Sequence, residues 1–439
     1  MTFTLAPSAQ FNSLNSPTIQ YLPNGITLIA EQVPVNAVNL SLWLRVGSSA
    51  ESDAINGMAH YLEHMVFKGT NRLESGEFER LIEQRGAVTN AATSQDYTHY
   101  YITTAPQDFA DLAPHQLEVV LNAAIPDEAF ERERSVILEE IRRSQDSPQR
   151  RLYRTAMQTG FDRMPYRRPV LGPSEVIEHL TAQQMRDFHQ QWYQPSRMTA
   201  VAVGNLPVEQ LMETLIDGFE SIASHASAPV HKSSINPAPV DLSSSVPEPP
   251  FTSIVRQTVV DPTLQQARLV MLWRVPGMQH LPQTYVFDML AAVLGQGRMA
   301  RLVRDLREDR RLVSSVGVSN MTYHQQGLFY ISAQLSVEHL ETVEAAIVQH
   351  IQRLHDEPVA ESELQRICTL VTNRFVFGNE APSDRASLYG YYQATVSDLE
   401  PALNYPAKLR SLDPEELQAA AQRSLSPQAY GVVVMRPED

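Results

Sequence analysis

Cysteine is almost absent from this chain of 439 residues: Cys368 is the only one. No internal disulfide can form, and a metal site built on several thiolates is excluded. Cys368 itself reads as a small core residue. Long apolar runs are missing as well. No stretch reaches the about 18 consecutive apolar residues that suggest a membrane-spanning helix, so no span is expected. Lys and Arg are in deficit, 35 against 50 Asp and Glu, for a formal net charge of −15. That argues against a nucleic-acid binder, because neutralising phosphates takes a basic face. Basic residues are also missing from the first stretch, where Arg45 is the earliest. Neither the charged start of a secretory signal nor an Arg-rich transit peptide is seen there, and the expected location is cytoplasmic.

What is present describes a globular chain. Hydrophobic residues make up 43% and charged residues 19%, and the length suffices for two or more domains with cores of their own. The sharpest change of composition runs over 221–250, SIASHASAPVHKSSINPAPVDLSSSVPEPP, rich in Ser, Pro and Ala. It reads as a linker between a first domain at 1–220 and a second at 251–439. The two halves resemble each other. VNLSLWLRVGS (Val38 to Ser48) is an alternating strand followed by a helix, and ARLVMLWRVPG (Ala267 to Gly277) is a similar strand followed by TYVFDMLAAVLGQG (Thr284 to Gly297). Both strands hold Leu-Trp and an arginine, with Leu44 intervening in the first. A duplicated domain follows. In the first half, strands are expected at Ile26 to Glu31 and Val38 to Val46, and helices at Gly57 to Lys68 and Phe78 to Gln84. A hairpin then turns at Gln95-Asp96, and helices cover about Asp108 to Ala124 and Asp127 to Ser147. Long helices among adjacent strands predict an α+β fold: two homologous domains, each a mainly antiparallel sheet with helices on one face.

One short stretch carries chemistry. In GMAHYLEHMVFKGT (Gly57 to Thr70), His60 and His64 stand four apart and share a helix face, with Glu63 at its edge. Two neutral imidazoles converging on one point suit a zinc ion, and a nearby carboxylate left off the metal suits a general base. A hydrolytic zinc site needs a third protein ligand. The segment DEAFERERSVILEEIRRSQDS offers one, because Phe130, Glu133, Ile137, Glu140, Ile141 and Ser144 form one helical stripe. Carboxylates on a stripe with Phe and Ile are costly unless a metal or cation compensates them. Glu140 is the candidate third ligand. Glu133, two turns back, is the candidate for orienting a ligand or carrying a proton. Arginine-paired glutamates would give the same pattern, and an H-x-x-E-H string also arises by chance.

H-x-x-E-H is the inverzincin order, and the chain resembles the pitrilysin-like inverzincin peptidases beyond that string. ERERSVILEEI (Glu131 to Ile141), GAVTNAATSQDYTHYYIT (Gly86 to Thr103) and LGQGRMARLVRDLREDRRLVSSVG (Leu294 to Gly317) are each similar to blocks of that family. The resemblance implies one Zn2+ per chain on His60, His64 and Glu140, with Glu63 as base and Glu133 as a supporting acid. Asn90 and Ala91 would contact the substrate backbone. It further implies an endopeptidase acting on extended peptides or unfolded polypeptide.

In that family an Arg and, seven residues later, a Tyr reach the site. Arg307 is present here, but Ser314 stands at the tyrosine position. The two-domain members, such as mitochondrial processing peptidase and its bacterial relatives, pair two chains into a chamber. Ser314 therefore favours a heterodimer with a homologous subunit that lacks the zinc motif and brings the missing donor; a homodimer stays open. The competing expectation is a non-catalytic assembly subunit like the core proteins of a respiratory complex. A metal-binding protein without peptidase activity is a third.

Overall fold

The computed structural model describes residues 16–225 and 246–438, so most of the Pro/Ser/Ala-rich stretch lies outside the described residues. The first half runs β1 (Thr18–Tyr21), β2 (Thr27–Gln32), β3 (Val38–Leu44), α1 (Met58–Met65), α2 (Glu77–Gln84), β4 (Val88–Thr93) and β5 (Thr98–Thr104). It continues with α3 (Phe109–Leu121), α4 (Asp127–Asp146), α5 (Pro148–Gly160), α6 (Ser174–Ile177), α7 (Ala182–Trp192), β6 (Met198–Gly204) and α8 (Val208–His225). The second half runs β7 (Val255–Val260), β8 (Ala267–Pro276), α9 (Tyr285–Gly295), β9 (Val313–Met321) and β10 (Gln326–Leu335). After these come α10 (Leu340–Asp356), α11 (Glu361–Phe377), α12 (Pro382–Val396), α13 (Glu400–Arg410), α14 (Pro414–Ser424) and β11 (Gly431–Arg436).

The duplication is visible in the sheets. The first has the order β1-β2-β6-β3-β5-β4 and the second β7-β11-β8-β10-β9. Leaving out β1, they are one topology. Each has a single parallel pair, β2 with β6 and β7 with β11, and is otherwise antiparallel. The Leu-Trp match between β3 and β8 is out by one residue. Leu40, Leu42 and Leu44 face the first core, while Leu269, Met271 and Trp273 face the second. Trp273 thus occupies the place of Leu44, and Trp43 points to the opposite face of its sheet. In a strand, a one-residue offset exchanges the faces.

Each half packs its own helices on one face of its sheet, as the pattern implies. The other face is covered as well, by a helix from the other half. Leu152, Ala156 and Met157 of α5 lie on Val270, Leu272, Val433 and Met435 of the second sheet. In return, Ala386 and Tyr389 of α12 lie on Ile29, Trp43, Val201 and Val203 of the first. Both exchanged helices come close enough to require glycine. A Cβ on Gly390 would sit 2.0 Å from Trp43 Nε1, and one on Gly160 would sit 2.7 Å from Leu328 Cδ1.

The arginines at the ends of the matched strands, Arg45 just past β3 and Arg274 within β8, tie down these helices. Arg45 donates to the carbonyl of Gln393 in the last turn of α12, and Arg274 Nε donates to that of Gly160 at the end of α5, at 2.9 and 2.7 Å. Each cation therefore meets the negative end of the helix that the other half supplies. Arg274 is buried and its guanidinium is filled: it also donates to the Pro249 carbonyl and lies 2.8 Å from Glu248. Glu248 in turn accepts the backbone N–H groups of Asp162, Arg163 and Met164 at 3.0, 2.7 and 2.9 Å.

Burial pushes the Glu248 carboxyl up, but those N–H groups and Arg274 outweigh it and hold the group below its ordinary value. A carboxylate lowered on folding adds stability that is complete above its unfolded value and disappears as the pH falls through the folded one. Glu248→Gln should therefore destabilise the protein by about 1–3 kcal/mol at neutral pH. The gap to the parent should close in acid. Urea unfolding at the two pH values checks this, and a gap that does not depend on pH would contradict it.

Candidate metal centre

The histidine helix begins at a backbone position that only glycine fills easily. Gly57 has φ 100°, and a Cβ there would meet Ile177 and the Leu171 carbonyl at 2.7 Å. Its N-terminal N–H groups are capped from outside the helix. Fully buried Glu51 accepts from Gly57 N at 2.8 Å, Ala59 N at 2.7 Å and Asn56 Nδ2 at 2.8 Å. This fixes the axis of α1. Its rotation against α4 is fixed by Tyr61, whose ring stacks on Phe130 with centroids 4.5 Å apart and whose hydroxyl donates to the Phe130 carbonyl.

That contact turns His60 and His64 towards the stripe on α4. His60 Nε2 lies 3.6 Å and His64 Nε2 3.8 Å from Glu140 Oε2. The three ligand atoms offered by His60, His64 and Glu140 fall within 4.8 Å of one another. Separations of 3.6 and 3.8 Å are too long for hydrogen bonds. They are near the roughly 3.4 Å between two ligands that each stand about 2.0–2.1 Å from a tetrahedral ion. Among the described residues neither ring nitrogen of His60 has a hydrogen bond, and its Nδ1 is buried. Burial, aided by neighbouring His64, holds the His60 ring down to about 3, so it is a neutral imidazole with a free lone pair. The donor set fits a zinc ion.

The remaining groups support these three. His64 Nδ1 meets Glu133 Oε1 at 3.0 Å, and Glu133 Oε2 meets Lys68 Nζ at 2.8 Å. With Nδ1 held by Glu133, His64 keeps Nε2 directed at Glu140. Burial pushes Glu133 up, but its bonds to Lys68 and His64 prevail and keep it below its ordinary value. Glu63 stays off the three-ligand group and accepts from the Thr93 hydroxyl of β4. Burial raises the Glu63 carboxyl despite that bond. A cavity of about 450 Å³ opens in front of these groups, lined by His60, Glu63 and Glu140 on one side and by Ala92 and Thr93 on another.

The structure thus brings His60, Glu63, His64, Glu133 and Glu140 to one place. Asn90 and Ala91 lie on β4, the outer strand of the first sheet, two and one residues before Ala92. Arg307 stands apart: its guanidinium pairs with Glu308 at 2.7 Å, and it does not line the cavity. Ser314, near the start of outer strand β9, bonds Gln266 and the Gln334 carbonyl. Sequence reasoning did not name Glu51, Lys68 or Thr93. Lys68 had a signal, since it follows His64 by one helical turn and an inward Glu133 needs a cation. Glu51 and Thr93 had none, because their partners are set by the fold.

Two sheets of one topology, with an H-x-x-E-H helix facing an acidic helix in the first, define the class: a two-domain, pitrilysin-like peptidase fold. Comparison with known proteins agrees. Residues 27–174 match the family model described as insulinase (peptidase family M16), and 179–371 match that of the peptidase M16 inactive domain. The chain belongs to peptidase family M16. It is 26% identical over 397 residues to an uncharacterized zinc protease of Rickettsia bellii, spanning 89% of this chain and 92% of that protein. It is 25% identical over 422 residues to the zinc protease PqqE of Helicobacter pylori, spanning 95% and 92%. The crystal structure of a protease from Helicobacter pylori has the same fold, with a TM-score of 0.85 at 24% identity over 96% of this chain and all of that one.

Glu51 generates a prediction. It has two oxygens and faces donors only, so in Glu51→Gln an amide N–H must point at another N–H. The cost is about 1–3 kcal/mol, and it falls on the helix that carries both histidines. Thermal unfolding should show the loss. A variant as stable as the parent would mean that Glu51 does not anchor α1.

Proposed function

We propose that the chain is a zinc-dependent endopeptidase for extended peptides. The observation that carries this reading is the convergence of two imidazoles and Glu140 beside a half-buried carboxylate that is free of them. Relatives named zinc proteases support the choice of metal. His60, His64 and Glu140 would hold one ion per chain. Bound there, zinc supplies Lewis acidity, polarising the scissile carbonyl and acidifying water towards a pKa of about 7.

The chain's own residues do the rest. Glu63, raised by burial, takes the proton of the attacking water and returns it to the leaving amine. Glu133 fixes the His64 tautomer, and Lys68 keeps Glu133 charged. β4 is the outer strand, and at Ala91 its backbone N–H is held only by the Asn90 side chain at 2.9 Å, so a substrate adds there as a further strand by displacing that amide. Ala92 and Thr93 then lead it into the cavity.

Neither Arg307 nor Ser314 lines that cavity. We therefore assign the oxyanion donor to a second, homologous subunit without the zinc motif, which closes a clam-shell chamber over the peptide; a homodimer is the alternative arrangement. Ser314 also favours one rival reading, a non-catalytic assembly subunit. That reading gives no reason to keep two histidines and three glutamates together.

The test is metal analysis and quenched-peptide cleavage with the chain alone and with a homologous partner, each with and without chelator. Chelator-sensitive cleavage is expected. Bound zinc without cleavage in every combination would move the assignment to the assembly subunit. Glu63→Gln should lower kcat by about 10²–10⁴-fold with zinc retained, and wild-type turnover in this variant would remove Glu63 as the base. Glu140→Gln should lower zinc content; unchanged stoichiometry would strike Glu140 from the ligands.

A further inference from the structure

The cavity in front of His60, Glu63 and Glu140 has a far wall made of arginines: Arg150, Arg151 and Arg154 of α5, then Arg167 and Arg168. This is a local inversion in a chain of net charge −15. Three of the five are answered by carboxylates. Arg151 pairs with Asp261, while Arg167 and Arg168 share Asp53 at 3.2 and 3.0 Å. Arg150 and Arg154, one helical turn apart, are exposed, and among the described residues neither guanidinium has a hydrogen-bond or ion-pair partner.

Their place on the helix is adverse. Arg150 and Arg151 stand in the first turn of α5, which holds no acidic residue. The positive end of a helix disfavours cations and favours anions. Stability alone would put Asp or Glu there. The helix end and the two free guanidiniums instead put a positive wall across the cavity from Glu63 and Glu140.

We propose that this wall is a carboxylate-binding subsite, in which Arg150 and Arg154 select peptides that present a carboxylate beside the bond to be cut. The proposal rests on the peptidase reading for its location next to a scissile bond. The carboxylate is an Asp or Glu side chain or the peptide's own C-terminus, and a guanidinium holds either by paired N–H donors. Lys in place of Arg keeps the charge and loses the fork.

The test measures binding, so that it does not depend on turnover. The full-length Glu63→Gln chain is titrated, by fluorescence anisotropy, with three labelled peptides of one parent sequence. One has a central Glu and an amidated end, one a central Gln and an amidated end, and one a central Gln and a free C-terminus. A carboxylate-bearing peptide should bind on the order of 10-fold more tightly than the uncharged one, and whichever it is identifies the source. Arg150→Gln with Arg154→Gln should level the three affinities, and the two Lys substitutions should restore part of the difference. Thermal unfolding of the double variant should be unchanged or improved, which separates loss of the subsite from loss of the fold. Equal affinities in the parent, or no measurable binding, overturn the proposal, as does a preference that survives the double variant. Selective binding with no cleavage anywhere sinks the peptidase reading alone. Cleavage without selectivity sinks only the subsite.

Discussion

Between α4 and α5 the chain makes a single-residue corner, and both the site and the join between the halves depend on it. Pro148 cannot donate an N–H to continue α4 and disfavours a helical conformation at Ser147. Ser147 accordingly sits at φ −81°, ψ 114°, ending one helix and capping the next, with its side chain accepting from Arg150 N. Upstream of the corner, α4 lays Glu133 and Glu140 against the histidines. Downstream, α5 leaves the first domain and covers the second sheet through Leu152, Ala156 and Met157. The cavity is the space inside the angle, which is why metal-ligand candidates form one wall and arginines another. A continuous helix would carry the same residues and enclose nothing.

The exchange of α5 and α12 explains a feature that is otherwise odd for a duplicated domain. A sheet with one polar face would leave each half free-standing. Here both faces of β3 and β6 are buried along their whole length, and neither sheet is complete without the other half's helix. Arg45, just after β3, and Arg274, near the end of β8, perform equivalent tasks, each holding a carbonyl in the last turn of the incoming helix. The similarity of the two strands in sequence is therefore more than shared ancestry of a core pattern. Each half has a crossing helix end, and an arginine meets it.

Much of this was legible in the sequence, and the illegible part has a common cause. Strand β3, helix α1, the β4–β5 hairpin and α4 agree with their expected positions to within a few residues, because each has a strong period and a clear stop signal. The ligand group was legible because two independent periodicities, four residues in α1 and the three-four stripe of α4, each put polar groups on a buried face. A pattern says that a face is covered without saying by what. So α5 and α12 could not be assigned to the opposite sheets, and Glu51 and Thr93 could not be assigned to the site. The Leu-Trp match shows the same limit from the other side. It detected the right pair of strands, yet its identical residues fall on opposite faces of the two sheets.

The two halves also show why the candidate site lies in one of them. Helix α1 leaves Glu63 and His64 partly exposed, and His60 and Glu63 line the cavity, with the rest of the helix packed. In the second half α9 is buried along nearly all of its length, enclosed by α11, α13 and α14. Its one charged residue, Asp288, is committed to Asn320 and Tyr405, and burial pushes its carboxyl up to about 6. A helix closed in this way has no side from which a substrate could approach, whatever residues it carried. The first copy stays open because its neighbouring helix α5 turns away at Pro148, and the same turn that opens the site brings the arginine wall to face it.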